Sequence, residues 1–186
     1  MIGESFDEVL LAARSGSEWA YRVLYRDLNP RLLRYFISQA PGAAEDLAAD
    51  TWVGVAKGLR GFAGDEGAWR AWVFKIGQRR LVDHWSITAR RRWLTSLTDA
   101  VDEPACGTDV EADVITRDAV LRALQVLRRT LSEDQARIVI LRIVGGLSVE
   151  QVAVVLGKRP NTVRVVQHTA LKKLARLDVL VEELMP

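Results

Sequence analysis

Apolar residues recur at three- and four-residue spacing along almost the whole chain, and alternating strand-like runs bounded by turn residues are absent. This pattern predicts an all-α protein. Breaks at Gly16, at Pro41-Gly42 and in the glycine-rich stretch 60–64 divide the first half into helices. The predicted helices cover about Phe6–Arg14, Glu18–Gln39, Ala43–Leu59 and Asp65–Trp93.

The second of these helices carries large apolar residues from which we predict its buried face. Pro30 lies inside it and is expected to kink it. The predicted inward stripe consists of Trp19, Val23, Leu32, Leu33, Phe36 and Ile37.

The helical pattern stops in the middle of the chain. From Thr98 to Asp113 the sequence is rich in acids and contains Pro104 and Gly107, a composition typical of a linker. Helical spacing resumes at Val114 and continues in three more segments to the C-terminus. The sequence therefore predicts two small helical domains, residues 1–95 and 114–186, joined by a flexible acidic linker over residues 96–113.

The strongest local signal runs from Leu147 to Arg164. Ser148 followed three residues later by Gln151 is a capping box that starts a helix, and Gly157 suits a left-handed residue that ends one. Pro160 suits the first turn of a following helix. A short capped helix, a glycine turn and a second helix predict a helix-turn-helix.

The second helix of this motif has two different faces. Its apolar residues are predicted to pack inward, and they are Val163, Val166, Ala170, Leu171, Leu174 and Leu177. Its outward residues are Asn161, Arg164, Val165, Gln167, His168, Thr169 and Lys172, with Lys158 and Arg159 just before them and no acid between Lys158 and Lys173. Such a face can contact phosphates and base edges in a major groove, although a solvated helix on an ordinary bundle is the alternative.

A second basic segment, Ala68–Trp85, interleaves aromatic and basic residues and is followed by Arg90–Arg92. Arginines beside flat rings suit single-stranded DNA, because bases stack on rings while cations follow the backbone. The alternative is that Trp72, Phe74 and Ile76, at helical spacing, belong to the core.

Composition narrows the choice of function. A single cysteine, Cys106, excludes an internal disulfide framework and a cysteine-based zinc site. No apolar run approaches the roughly 20 residues of a membrane span, and the first residues carry acids where a signal peptide carries bases. We expect a cytoplasmic protein without a metal or cofactor.

Several segments in order resemble one family across nearly the full chain. They are Ala44–Trp52, Trp69–Ile76 with Asp83-His84, Leu131–Ala136, Leu141-Arg142 and Gly146–Ser148. Together these segments are similar to regions 2 and 4 of extracytoplasmic-function (ECF) sigma factors, the promoter-specificity subunits of RNA polymerase. The resemblance implies a sigma region 2 helical bundle followed by a sigma region 4 helix-turn-helix.

The resemblance also implies partners. Family members bind core RNA polymerase through the helix matching residues 44–57, which docks on the β′ clamp helices, and through region 4, which meets the β flap. The matching residues are Glu45, Asp46, Ala49, Asp50, Trp52 and Val53, where Ala49 replaces a common glutamine. The linker would thread toward the RNA exit path, and an anti-sigma factor is a possible further partner.

The same resemblance assigns the DNA contacts. Region 2 opens the minus-10 element and holds a flipped base near the loop matching Arg60–Gly67, and region 4 reads the minus-35 element as duplex. The minus-10 candidates are Arg60, Phe62, Trp72, Lys75, Arg79, Arg80, His84, Arg90 and Arg91. The minus-35 candidates are Lys158, Arg159, Asn161, Thr162, Arg164, Val165, His168, Thr169 and Lys172.

Two other function classes compete with this one. A stand-alone helix-turn-helix regulator with an N-terminal sensing or dimerisation domain accounts only for the C-terminal half. An enzyme is disfavoured, because His84 and His168 lie in different predicted domains and neither a phosphate-binding loop nor a paired metal-ligand spacing is present.

Overall fold

The computed structural model describes residues 2–96, 127 and 129–184, without the side chains of residues 92, 94–96 and 177–184. Over these residues the protein contains helices and no strand, which confirms the predicted all-α class. Four helices form the first half, α1 (Phe6–Arg14), α2 (Glu18–Gln39), α3 (Ala44–Gly58) and α4 (Glu66–Ser96). The second half contains α5 (Glu133–Ile143), α6 (Val149–Leu156) and α7 (Pro160–Leu184). Short 3-10 turns, Gly3–Ser5, Pro41–Ala43 and Leu59–Gly61, precede α1, precede α3 and follow α3.

The predicted inward stripe of α2 is correct in the second half of the helix, where Leu32 and Phe36 are buried and Leu33 and Ile37 are half-buried, and wrong in the first half. Trp19 is 57% exposed and Val23 is 36% exposed, so their assignment to the inward stripe is wrong. The buried residues are Ala20, Leu24, Leu28, Leu32, Tyr35 and Phe36. One residue along a helix is a rotation of about 100°, so choosing the large Trp19 over its small neighbour Ala20 misplaces the first two turns.

Aromatic rings hold α3 and α4 together. Trp69 is fully buried and lies 5.5 Å, ring centre to ring centre, from both Phe62 and Trp72. Trp72 of α4 also packs closely against α3 at Gly58. This close contact requires glycine, since a Cβ on residue 58 would lie 2.8 Å from the Trp72 ring. The rings of the second basic segment therefore contribute mainly to packing, as the core alternative stated.

The C-terminal unit begins two of its helices with the same cap. Ser148 and Gln151 form the predicted capping box, and Ser132 with Gln135 forms a second one at the start of α5. Gly157 ends α6 with a φ of +64°, as predicted. Helices α5 and α7 share a small core of Leu131, Ala136, Val139 and Ala170.

The two units also pack against each other. Phe74 of α4 belongs to one buried cluster with Leu141, Leu147 and Val152 of the C-terminal unit. The Gln151 side-chain amide donates a hydrogen bond of 3.1 Å to the carbonyl of Gly67. Residues 97–126, which include most of the predicted linker, Cys106 and the start of the helical pattern at Val114, lie outside the described residues.

Candidate nucleic-acid interface

Helix α7 is held on the C-terminal unit by one side. Val163 and Ala170 are fully buried, and Val166 and Leu174 are half-buried, as the predicted inward stripe requires. Leu171 is the exception, because 43% of it is exposed. The side chain of Leu177 lies outside the described residues.

The opposite side of α7 presents the predicted minus-35 candidates to solvent. Exposed residues are Arg159, Asn161, Thr162, Arg164, Val165, His168, Thr169 and Lys172. Lys158 is less exposed than these residues. It is half-buried, and its ammonium lies 2.9 Å from the Asp134 carboxylate on α5. The structure thus brings eight of the nine candidates onto one open surface at the start of a helix.

Gln167, also expected to face outward, is half-buried. Its side-chain oxygen accepts a hydrogen bond of 3.2 Å from the Arg142 Nε of α5. Arg142 also donates to the carbonyl of Leu147, just before α6. Arg142 therefore ties α7 to the preceding turn, a role that its distance of 25 positions from Gln167 concealed in the sequence.

An acid that the sequence analysis did not single out touches the exposed surface. The Glu150 carboxylate of α6 accepts a hydrogen bond of 2.7 Å from Arg164 Nη2, and Arg164 Nη1 donates at 3.0 Å to Asn161. A hydrogen bond from its own backbone amide, another from the Ser148 hydroxyl and the Arg164 charge lower the pKa of Glu150 below its ordinary value. Glu150 is therefore an anion at neutral pH.

Four of the nine minus-10 candidates line a groove beside α4. It has a volume of about 610 Å³, and its walls include Trp72, Lys75, Arg79 and Arg80, with Val155 of α6 closing one side. Arg60, Arg90 and Arg91 are exposed, His84 is half-buried, and Phe62 is only 8% exposed. Phe62 packs within the aromatic cluster, so its side chain is not available to a base in this conformation.

The predicted polymerase-binding residues lie along α3. Glu45, Asp46, Ala49 and Asp50 are exposed, and Val53 is 51% exposed. Trp52 is buried, and its indole nitrogen donates to Asn29 at 2.9 Å. Trp52 therefore supports α3 from within, while its neighbours present a mixed acidic and apolar surface.

Other kinds of site find little support in the described part of the chain. Its histidines and acids do not gather into a group of three that would hold a metal ion. Its helices do not combine the length and apolar character of a membrane span.

Two family models match the chain in the order expected. Residues 19–92 match sigma-70 region 2, and residues 121–174 match sigma-70 region 4. The first match covers α2 to α4, and the second covers the helix-turn-helix.

Curated relatives match over most of the chain. The chain is 30% identical over 176 residues to the ECF RNA polymerase sigma factor ShbA of Streptomyces griseus, covering 89% of this chain and 91% of the relative. It is 28% identical to SigD of Mycobacterium tuberculosis, covering 94% and 84%, and 28% identical to BldN of Streptomyces coelicolor, covering 91% and 64%.

A solved structure shares the fold. CnrH, determined in complex with the cytosolic domain of CnrY, superposes with a TM-score of 0.64 at 20% identity, over 94% of this chain and 97% of that one. Three observations agree on the family. The models of regions 2 and 4 both match, the helix-turn-helix has a basic outer face, and the chain covers 91% of a relative that is 30% identical to it. The chain belongs to the family of ECF RNA polymerase sigma factors.

Proposed function

We propose that this sigma factor reads the minus-35 element through the outer face of α7 and opens the minus-10 element through the groove beside α4. The observation that carries the first part is the exposed surface from Arg159 to Lys172, whose opposite side is anchored in the core. Lysine and arginine side chains on such a surface contact DNA phosphates. Arg164 can also donate hydrogen bonds to the edges of nucleobases, and Asn161 can both donate and accept them.

The second part of the proposal rests on the groove lined by Lys75, Arg79 and Arg80. Three cations can hold a single strand through its phosphates, and the half-buried Trp72 that lines the same groove can add a contact to a base. We expect these residues, with His84, to stabilise the separated strands after opening begins.

The third part concerns core RNA polymerase. We infer that α3 docks through its exposed acids and Val53, because charged residues around an apolar centre are typical of protein interfaces. The protein then acts in the cytoplasm as a binding subunit without catalysis of its own. An anti-sigma factor that covers these surfaces would inhibit it.

Permanganate footprinting of the polymerase complex on promoter DNA tests the opening role, since it detects unpaired thymines. A triple Arg79→Ala, Arg80→Ala, His84→Ala variant should still bind core polymerase but should lose minus-10 reactivity. A matched variant with Arg14, Arg22 and Arg26 changed to alanine removes exposed cations from α1 and α2 and should open the promoter normally. Normal reactivity in the first variant would remove these residues from the proposal.

Capture of core polymerase tests the docking role of α3. Val53→Glu places a further acid at the apolar centre and should weaken binding at least about fivefold, the equivalent of about 1 kcal/mol. Leu11→Glu is the matched control, because Leu11 is 66% exposed and lies on a different helix, α1. Equal capture by wild type and Val53→Glu would place the polymerase contact elsewhere.

A further inference from the structure

Arg164 is exposed on α7, which we call the recognition helix because it is the second helix of the helix-turn-helix. A chain of hydrogen bonds that begins at the cap of α6 holds its side chain. The Ser148 hydroxyl accepts from the backbone amide of Gln151 at 3.2 Å and lies 3.1 Å from one carboxylate oxygen of Glu150. The other oxygen of Glu150 accepts from Arg164 at 2.7 Å. Both oxygens of this carboxylate are therefore engaged, one by the cap and one by the recognition helix.

Asn161 completes the support of the guanidinium group. Its side-chain oxygen accepts from Arg164 Nη1 at 3.0 Å, while Glu150 takes Nη2. A guanidinium has five N–H donors, so these two bonds leave donors free for a partner in the groove. An arginine without supports keeps wide rotamer freedom, which an ordered contact must remove.

The Glu150 carboxylate beside Arg164 favours selection of a base by the arginine over general attraction to DNA phosphates. Side-chain exposure is 55% for Arg164 and 61% for Glu150, so both groups lie where the DNA would approach. The carboxylate offsets the arginine charge and repels phosphates, which makes a simple phosphate contact by Arg164 unfavourable. An exposed ion pair of this kind adds little to folding stability. We therefore expect the loss of Glu150 to alter DNA binding more than folding.

We propose that Glu150 is a positioning residue that presents Arg164 to a guanine in the major groove of the minus-35 element. Guanine is the base whose two acceptors, O6 and N7, match the two-donor fork of arginine. Glu150 acts through Arg164 and does not itself contact DNA. This inference rests on the proposed minus-35 reading by α7.

Affinity selection of a randomised minus-35 library by the complex of the full chain with core polymerase tests the proposal. The wild type should enrich guanine at one position that Arg164→Ala makes indifferent. Glu150→Ala should reduce that preference about tenfold and leave the preferences at other positions unchanged. Glu150→Gln keeps an acceptor for Arg164 and should retain part of the preference.

A double variant separates positioning from other roles. In the Arg164→Ala background, Glu150→Ala should change no base preference, because its effect passes through the arginine. In the wild-type background, it should also steepen the salt dependence of binding by about 0.9 in the log–log slope, since the released arginine can reach a phosphate. Glu18→Ala is the matched control, because it removes an exposed carboxylate that pairs with Arg22 in the N-terminal unit.

Three outcomes would overturn the inference. A uniform loss at all positions in Glu150→Ala would make the residue structural, and a further loss in the Arg164→Ala background would make it a direct reader. An unchanged preference in Glu150→Ala would show that Arg164 needs no support. Failure of the wild type to enrich any minus-35 sequence would instead overturn the proposed function itself, together with this inference.

Discussion

The cations at the start of the recognition helix differ in what surrounds them. Lys158 is bound to Asp134 and Arg164 to Glu150, whereas Arg159 and Lys172 are exposed and have no ion-pair partner within the described residues. A cation that is already paired gains less from a phosphate, because the pair must be broken or shared. Arg159 and Lys172 are therefore the best placed to neutralise the DNA backbone.

Replacing Arg159 or Lys172 by alanine should weaken binding to all sequences alike. Each variant should also make the log–log salt slope less steep by about 0.9, because one fewer counterion is released. Lys158→Ala is the matched control, and we expect a smaller change in slope from it. Fluorescence anisotropy of labelled duplex over a salt series measures the slope, and an unchanged slope in Arg159→Ala would contradict the assignment.

The helix-turn-helix shows why a motif with local causes can be predicted. Its cap at Ser148 and Gln151 and its turn at Gly157 depend on residues within a few positions of one another, and both were predicted correctly. The buried face of the first two turns of α2 was predicted wrongly, since it depends on which neighbours pack against Ala20 or Trp19. The helix-crossing geometry that brings Glu150 to Arg164, 14 positions away, is likewise absent from the linear pattern.

Gly157→Ala should destabilise the protein although the site has room for a methyl group. A Cβ there would meet nothing within 4 Å, so the cost comes only from the φ of +64°. For a residue with a side chain that conformation costs about 1–2 kcal/mol. Urea unfolding measures the change.

Gly42→Ala provides the matched control for the turn glycine. A Cβ on Gly42 also meets nothing, and its φ does not lie in the left-handed region. We expect its unfolding midpoint to remain close to that of the wild type. Equal midpoints for the Gly42 and Gly157 variants would show that the left-handed turn is not required.

The whole molecule combines its two units more closely than two domains on a flexible linker require. The Arg137 guanidinium lies 5.4 Å from the centre of the Trp85 ring across the contact, and Gln151 both caps α6 and binds the Gly67 carbonyl. These contacts join residues more than 50 positions apart, which periodicity alone cannot pair. The packing of the units against each other was therefore a further part of the fold that the sequence did not predict.

This compact arrangement does not match the separation of the promoter elements. The nominal centres of the minus-10 and minus-35 elements are about 25 base pairs apart, or about 85 Å of duplex at about 3.4 Å per base pair. In the structure α6 contacts Gly67 directly, and through Val155 it closes one side of the groove lined by Trp72, Lys75, Arg79 and Arg80. The two units must separate if each is to hold its own element.

Energy transfer between two dyes should detect this separation. Labels at Glu8→Cys and Arg176→Cys, with Cys106→Ser, report on exposed positions of the two units that are not among the DNA-contact candidates. Transfer should be high in the free protein and fall in the complex with polymerase and promoter. A pair at Glu8→Cys and Arg34→Cys, both exposed in the N-terminal unit and outside α3, should be unaffected.

Trp85→Ala should lower transfer in the free protein as well, since it removes one of the contacts between the units. Leu11→Ala, a change at an exposed apolar residue of α1, is its control. Equal transfer in the free and promoter-bound wild type would mean that the units stay packed, and the assignment of one element to each unit would then fail.

Transcription with purified core RNA polymerase on a pool of genomic fragments tests the central claim most directly. If the chain is a promoter-specificity subunit, its addition should start transcripts from a small subset of fragments that share two upstream elements. Polymerase without it should start none of them. Absence of initiation on every fragment, together with polymerase-independent protection of a palindrome by a dimer, would contradict the account and favour a stand-alone regulator.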